Sequence, residues 1–178
     1  MLEIKSNDAT VFRQIYDNVF PVVMKVAFHI TYNSDVAEEL CQEAFERFYI
    51  KELVFSREEE AKFWLIRVVR NLSVNYMKKI SRESEYVDGI MNISETDYSE
   101  EDGASELEKR ESVRTVRSAV AKLPEIYKTV IVLREYADLS YSEIASVLHV
   151  SETAVKVRIY RARKALEEIL GKEDMDVS

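Results

Sequence analysis

Only three glycines and two prolines punctuate 178 residues. Sheets and turn-rich folds need many such residues to set their backbone reversals. The chain must therefore be nearly all helix, and an apolar fraction of 47% is enough to pack helices around cores. A single cysteine, Cys41, excludes an intramolecular disulfide and any multi-cysteine metal site. Adding His29 and His149 still leaves too few soft ligands for a zinc cluster, so no cofactor or metal is expected. There is no phosphate-cradling loop and no nucleophile–base pair, so an enzyme is not expected either. No stretch approaches the ~18 consecutive apolar residues of a membrane helix. Glu3 and Asp8 interrupt the N-terminal segment, which has no apolar run of signal length. The expectation is a cytoplasmic protein without membrane insertion.

A net charge of −8 opposes nucleic-acid binding until it is mapped along the chain. Residues 83–111 hold eleven acids against Lys109 and Arg110, a local charge of −9 that leaves about +1 for everything else. Within that remainder, Ala61 to Arg82 carries Lys62, Arg67, Arg70, Lys78, Lys79 and Arg82 with no acid. Ser151 to Leu166 carries Lys156, Arg158, Arg161, Arg163 and Lys164 against Glu152 alone. Two basic helices flanking an acidic segment are a pattern that the mean hides. Gly89 and Gly103 fall in the same polar, aperiodic stretch, which reads as a flexible linker. The expected architecture is all-α: a helical domain over 1–82, an acidic linker over 83–111, a second domain over 112–171 and a tail over 172–178. Residues 104–111 are expected to begin the second domain's first helix, and Gly171 to close its last.

In the first domain, Val36, Leu40, Ala44, Phe45 and Phe48 repeat at helical spacing over Asp35 to Tyr49, with Ser34 or Asp35 as cap. Over Ala61 to Ile80, a rotation of ~100° per residue gathers Leu65, Val69, Leu72, Tyr76 and Ile80 on one side. Arg67, Arg70, Asn71, Asn75, Lys78 and Arg82 gather opposite, with Val74 among them. One face reads as core and the other as cationic with amides.

In the second domain, Pro124 opens a helix at a position where its missing donor costs nothing. Ile126, Val130, Leu133 and Tyr136 carry that helix to Ala137. A short helix from Leu139 ends at Leu148, His149-Val150 turns, and Ser151 caps a basic helix over Glu152 to Leu170. That order is the helix-turn-helix plan. On the last helix Val155, Ile159, Ala162 and Leu166 form the buried stripe. Thr153, Lys156, Val157, Tyr160, Arg161 and Lys164 lie roughly opposite. A major groove accepts one helix, and this face offers it cationic donors, a small apolar group and an aromatic edge. Lys156 and Arg161 are the candidates for base edges, with Arg158, Arg163 and Lys164 further round toward phosphates. A basic helical face alone is as often plain solvated surface. The preceding helix, turn and cap tip the balance toward DNA.

Read together, these segments resemble the extracytoplasmic-function sigma factors of bacterial RNA polymerase. Ala37-Glu-Glu-Leu-Cys-Gln-Glu-Ala-Phe45 is similar to the family's A-E-D-L-V-Q-E-T-F helix. Trp64-Leu-Ile-Arg-Val-Val-Arg-Asn71 and Leu72-Ser-Val-Asn-Tyr-Met-Lys-Lys79 resemble W-L-Y-R-I-A-R-N followed by L-A-I-D-Y-L-R-R. Leu123-Pro-Glu-Ile-Tyr-Lys-Thr-Val-Ile-Val-Leu133 and Leu139-Ser-Tyr-Ser-Glu-Ile-Ala145 resemble region 4. Val155-Lys-Val-Arg-Ile-Tyr-Arg-Ala-Arg163 is similar to the recognition helix V-K-S-R-L-H-R-A-R.

The resemblance implies a function and a role for each face. It implies a subunit that binds core RNA polymerase, directs it to promoters and helps open the duplex. Glu38, Glu39, Gln42 and Phe45 would dock on the polymerase clamp helices. Arg67, Arg70, Asn71, Asn75, Lys78 and Lys79 would hold and open the −10 element. A loop over roughly Lys51 to Glu60 would read −10 bases. Thr153, Lys156, Val157, Arg158, Tyr160, Arg161 and Lys164 would contact the −35 element, and the apolar surface of region 4 would meet the polymerase flap. An anti-sigma factor is the implied regulator. Three positions depart from the pattern: Glu58-Glu59-Glu60 opposes DNA at the end of the loop, Thr153-Ala154 replaces Gly-Thr, and Asn75 replaces an Asp. The alternative is a helix-turn-helix regulator that works without polymerase. It accounts for 123–170 but leaves the Asp35–Tyr49 helix and the Ala61–Arg82 face without a purpose.

Other chemistry-bearing residues have plainer readings. Cys41 lies near the apolar border of its helix and reads as a small buried hydrophobe rather than a redox sensor. His29 reads as a packed or surface histidine, His149 as a turn residue chosen for backbone conformation, and Trp64 as a core or base-flanking aromatic.

Overall fold

The computed structural model describes residues 3–85 and 106–176, and its core is built from helices throughout. Helix α1 (Ala9–Thr31) begins where Asp8 Oδ1 accepts hydrogen bonds from the Thr10 and Val11 amides at 2.9 and 3.0 Å. It ends at Tyr32, whose left-handed φ of 53° lets its own amide donate back to the Phe28 carbonyl. Helix α2 (Ser34–Ile50) is capped by Asn33, not by Ser34 or Asp35. Asn33 is the residue that stays extended (φ −136°), so its Oδ1 can accept from the Val36 amide at 3.1 Å. Helix α3 (Glu58–Glu85) is longer at both ends than Ala61–Ile80. A two-residue strand, β1 (Ile4–Lys5), pairs antiparallel with β2 (Val54–Phe55) across the end of this three-helix unit.

The second unit contains α4 (Glu106–Ala121), α5 (Glu125–Ile131), α6 (Tyr141–Leu148) and α7 (Glu152–Asp176). Helix α5 continues directly into one wide π turn over Val132–Tyr136, closed by the Ala137 amide donating to the Val132 carbonyl at 3.2 Å. Helix α7 runs through Gly171 to Asp176, so Gly171 does not close it. A side chain there would meet nothing within 4 Å, and the glycine costs the helix only its propensity. The linker expected over 83–111 falls mainly on 86–105, which lie outside the described residues. Its edges, 83–85 and 106–111, are the last turn of α3 and the start of α4.

One buried cluster runs through both units. Val23, Val26, Ala37, Cys41, Ala44, Phe48, Leu65 and Val69 fill the first, and Val130, Leu133, Leu139, Ile144, Val155, Ile159 and Ala162 the second. The units meet where Tyr136, on the π turn, stacks on His29 of α1 with ring centroids 3.4 Å apart, and where the Arg117 guanidinium lies 5.5 Å from the centre of Phe28. Against the expectation of one core face, α3 is also buried at Ile66, Ser73 and Val74. It packs on α1 and α2 on one side and on α6 on the other.

Candidate nucleic-acid interface

The helix-turn-helix is held by local chemistry that the sequence dictates. Ser140 Oγ accepts from the Glu143 amide at 3.2 Å while a Glu143 carboxylate oxygen accepts from the Ser140 amide at 2.7 Å, a reciprocal capping box. Foremost, the bond its carboxylate accepts from the Ser140 amide holds the Glu143 carboxyl below its ordinary range. His149 ends α6 in the left-handed region at φ 53°, its amide donating to the Ala145 carbonyl. Ser151 Oγ then accepts from the Ala154 amide at 3.1 Å and starts α7. His149 is exposed and serves the backbone, as the sequence implies.

Burial of Val155, Ile159 and Ala162 against α5 and α6 fixes the rotation of α7. Thr153, Lys156, Val157, Tyr160, Arg161 and Lys164 consequently share its exposed side. Val157 and Tyr160 are 43% and 68% exposed on that side, beside the cations. Lys156 pairs with Glu152 one turn away at 3.0 Å, and Arg163 reaches Glu135 at 3.2 Å. Arg158 departs from this face. It is half-buried and close enough to Arg70 for their charges to repel.

The cationic side of α3 is not free in this conformation. Arg67 donates to the Val147 and Ser146 carbonyls at 2.8 and 2.9 Å, so its guanidinium closes the C-terminal end of α6. Arg70 reaches Glu125 at 2.7 Å, and Lys78 reaches the other Glu125 oxygen at 3.0 Å. Arg70 also donates to Thr129 Oγ1 and to Asn71 Oδ1. Burial works against charge here and lowers the pKa of both Arg67 and Arg70. For Arg70, Glu125 pulls in the opposite direction, while Arg158 adds to the fall. Asn71, Asn75 and Lys79 stay exposed. Glu125 and Thr129 were invisible as partners in the sequence, where Glu125 reads only as a helix-opening acid.

On α2, Glu38, Glu39 and Gln42 share the exposed face, but Phe45 does not join them. Phe45 is buried among Tyr16, Phe12 and Phe20, with centroids at 4.8, 6.1 and 6.1 Å, so it supports the helix from beneath. Cys41 is fully buried beside Met24, and burial pushes its thiol up to about 12, which fits a small hydrophobe. Trp64 is half-buried against Phe48. The acids Glu58, Glu59 and Glu60 occupy the first turn of α3, where the helix dipole favours them. Gln14 and Asn18 donate to Glu58, while the Ser56 amide and Arg57 donate to Glu60.

Residues 15–83 match the family model for sigma-70 region 2, and residues 113–166 match that for sigma-70 region 4. The chain belongs to the sigma-70 family. It is an extracytoplasmic-function sigma factor, an RNA polymerase subunit that directs promoter-specific transcription. The extracytoplasmic-function sigma factor SigW of Bacillus subtilis is 31% identical over 178 residues, covering 94% of this chain and 93% of its own. The sigma-H factor of Pseudomonas aeruginosa is 28% identical, covering 83% of this chain and 80% of its own. Among solved structures, the sigma factor RpoE in complex with the anti-sigma factor NepR, from Bartonella quintana, aligns with a TM-score of 0.69 at 25% identity. It covers 90% of this chain and 96% of that one. CnrH in complex with the cytosolic domain of CnrY shares the fold, with a TM-score of 0.64 at 22% identity over 94% of this chain and 92% of that one. Sigma factors of this family are generally regulators rather than enzymes. Among the described residues, no helix is long and apolar enough to cross a membrane.

Proposed function

We propose that this sigma factor divides its work between the two units at the boundaries its charge pattern draws. Residues 1–82 bind core polymerase and open the −10 element, 112–171 read the −35 element, 83–111 join them, and the chain itself catalyses no reaction. The observation that carries this reading is the exposed face of α7, standing directly behind a doubly capped turn. Lys156 and Arg161 reach base edges there, Val157 and Tyr160 fill the groove, and Thr153 and Lys164 meet phosphates. Glu38, Glu39 and Gln42 form the docking face for the polymerase clamp, and Phe45 sets the pitch of that face from within the core. The amides of Asn71 and Asn75 and the cations Arg67, Arg70, Lys78 and Lys79 suit an unpaired strand, which needs charge for its backbone and planar groups for its bases.

In the closed conformation Arg67, Arg70 and Lys78 are engaged by the second unit, so opening of the −10 element requires the units to part. The apolar surface of the second unit meets the polymerase flap. An anti-sigma factor, the class of partner held by RpoE in the Bartonella structure, keeps the chain inactive in the cytoplasm. Run-off transcription with bacterial core polymerase over a promoter library tests the reading. Wild type should select a promoter, and Lys156→Ala with Arg161→Ala should abolish selection while leaving core binding intact. If the protein fails to bind core yet binds duplex DNA alone, the reading is wrong.

A further inference from the structure

The loop joining α2 to α3 has its backbone bonded from an unexpected direction. Ser6, fully buried, lies just after β1 and grips Leu53 with both of its polar groups. Its amide donates to the Leu53 carbonyl at 2.8 Å, and its Oγ accepts from the Leu53 amide at 2.7 Å. The pairing continues as Lys5 with Val54 and Ile4 with Phe55, and Phe55 stacks on Phe48 of the core. At the other end Glu60 accepts from the Ser56 amide, and Glu58 is held from α1 by Gln14 and Asn18. The loop also turns at Glu52, which adopts a left-handed φ of 48°. Leu53 and Phe55 are half-buried and point inward, whereas Lys51, Glu52, Val54, Ser56 and Arg57 are exposed. A short connection of this kind would ordinarily sample many shapes. Here its inward groups are fixed at both ends, and its outward groups are presented as one ordered row.

We infer that Ser6 is a positioning residue for promoter reading. Through Leu53 it holds the 51–57 loop in the shape that meets the −10 bases. The inference rests on the proposed assignment of this loop to the −10 element and adds a residue 47 positions away in sequence. Recognition by a preordered loop loses less on binding than recognition by one that must first be ordered, and bases are distinguished only when the reading groups hold their places. Ser6→Ala removes the acceptor for a part-buried amide and leaves the rest of the side chain intact.

The test is run-off transcription by the holoenzyme on promoters carrying single substitutions at −10 or at −35. Ser6→Ala and a chain lacking residues 1–6 are compared with wild type, with amide exchange followed at Leu53. Removing one satisfied buried bond should lower the −10 discrimination ratio by about tenfold, with faster exchange at Leu53. Discrimination at −35 and affinity for core should not change. The shortened chain carries the test if Ser6→Ala fails to fold, because Asp8 still caps α1. Unchanged −10 discrimination despite faster Leu53 exchange would overturn the inference, as would equal losses at −10 and −35. Combined Lys51→Ala, Val54→Ala and Arg57→Ala substitutions that leave −10 preference untouched would instead overturn the assignment of the loop itself.

Discussion

Removing the Glu125 side chain should open the closed conformation. Its two carboxylate oxygens hold Arg70 at 2.7 Å and Lys78 at 3.0 Å, and both partners belong to the surface proposed to grip the −10 strand. Arg70 is 22% exposed and Glu125 39%, so their charge-assisted bond is only partly screened and contributes about 1–2 kcal/mol. Lys78 is 56% exposed, and its contribution is ~0–1 kcal/mol. A combined ~1–3 kcal/mol corresponds to roughly a 5- to 150-fold rise in the opening constant for Glu125→Ala. The Arg67 bonds to Val147 and Ser146 remain, so opening is promoted rather than complete. Dyes on Glu46→Cys and Glu167→Cys report the separation, because both sites are exposed, whereas Cys41 is buried and its thiol stays protonated. The distance distribution should gain a long component, and affinity for a −10 single strand should rise. Affinity for a −35 duplex should hold, since α7 is already exposed. An unmoved distribution would refute Glu125 as the latch. A lengthened distance without stronger −10 binding would refute the α3 face as the strand-holding surface.

Three further outcomes follow from the same geometry. Arg161→Ala should cost about 1–3 kcal/mol of −35 binding and relax specificity at one position. Lys164→Ala should instead weaken all duplexes alike and lower the salt slope by about one, both read by titration at several salt concentrations. Burial, aided by Arg117 and Lys25, holds His29 down to about 4 from 6.5, so it stacks on Tyr136 uncharged. An exposed His29 binds a proton near pH 6.5 and a docked one does not, so docking is at full strength above 6.5 and weakens as pH falls toward 4. The slope is at most ~1.4 kcal/mol per pH unit, and His29→Phe should flatten it in the same dye-pair assay. His149→Gly should stabilise the chain by about 0.5–1 kcal/mol in thermal unfolding, since φ 53° costs a side chain and glycine nothing, while −35 affinity stays constant.

Much of the fold was written in short-range chemistry, and what escaped was long-range. Ser151 and Ala154 lie three residues apart, a spacing legible in the sequence, whereas the Ser140–Glu143 box that starts α6 at Tyr141 rather than Leu139 is seen only in the structure. The stripe of Val155, Ile159 and Ala162 fixed which way α7 faces. The cap of α2 lies one or two residues before the Ser34 or Asp35 that the spacing predicts, because Asn33, Ser34 and Asp35 are all competent caps and only the backbone angle chooses among them. Phe45 is buried, as its place in the apolar stripe of α2 predicts, so it supports the exposed docking face from beneath rather than standing on it. The rings of Phe12, Tyr16 and Phe20 come from another helix.

The cations of α3 are the deeper case. Helical periodicity sets Arg67, Arg70 and Lys78 apart from Leu65 and Val69, although it also places buried Val74 among the cations and exposed Ile80 on the core face, and it says nothing about what lies across from them. Their partners are the end of α6 and the start of α5, with Val147 80 residues from Arg67 and Glu125 55 from Arg70. Nothing in those partners looks like an acidic counter-surface. Two are backbone carbonyls, present in any helix, one is the Thr129 hydroxyl, and one is a first-turn glutamate that the helix dipole already explains. The same donors that suit a nucleic-acid strand suit a helix terminus, because both offer clustered oxygen acceptors carrying negative charge. Arg67 can therefore serve either surface with unchanged chemistry. The choice between a closed chain and an open promoter complex becomes a competition for one set of guanidinium and ammonium groups.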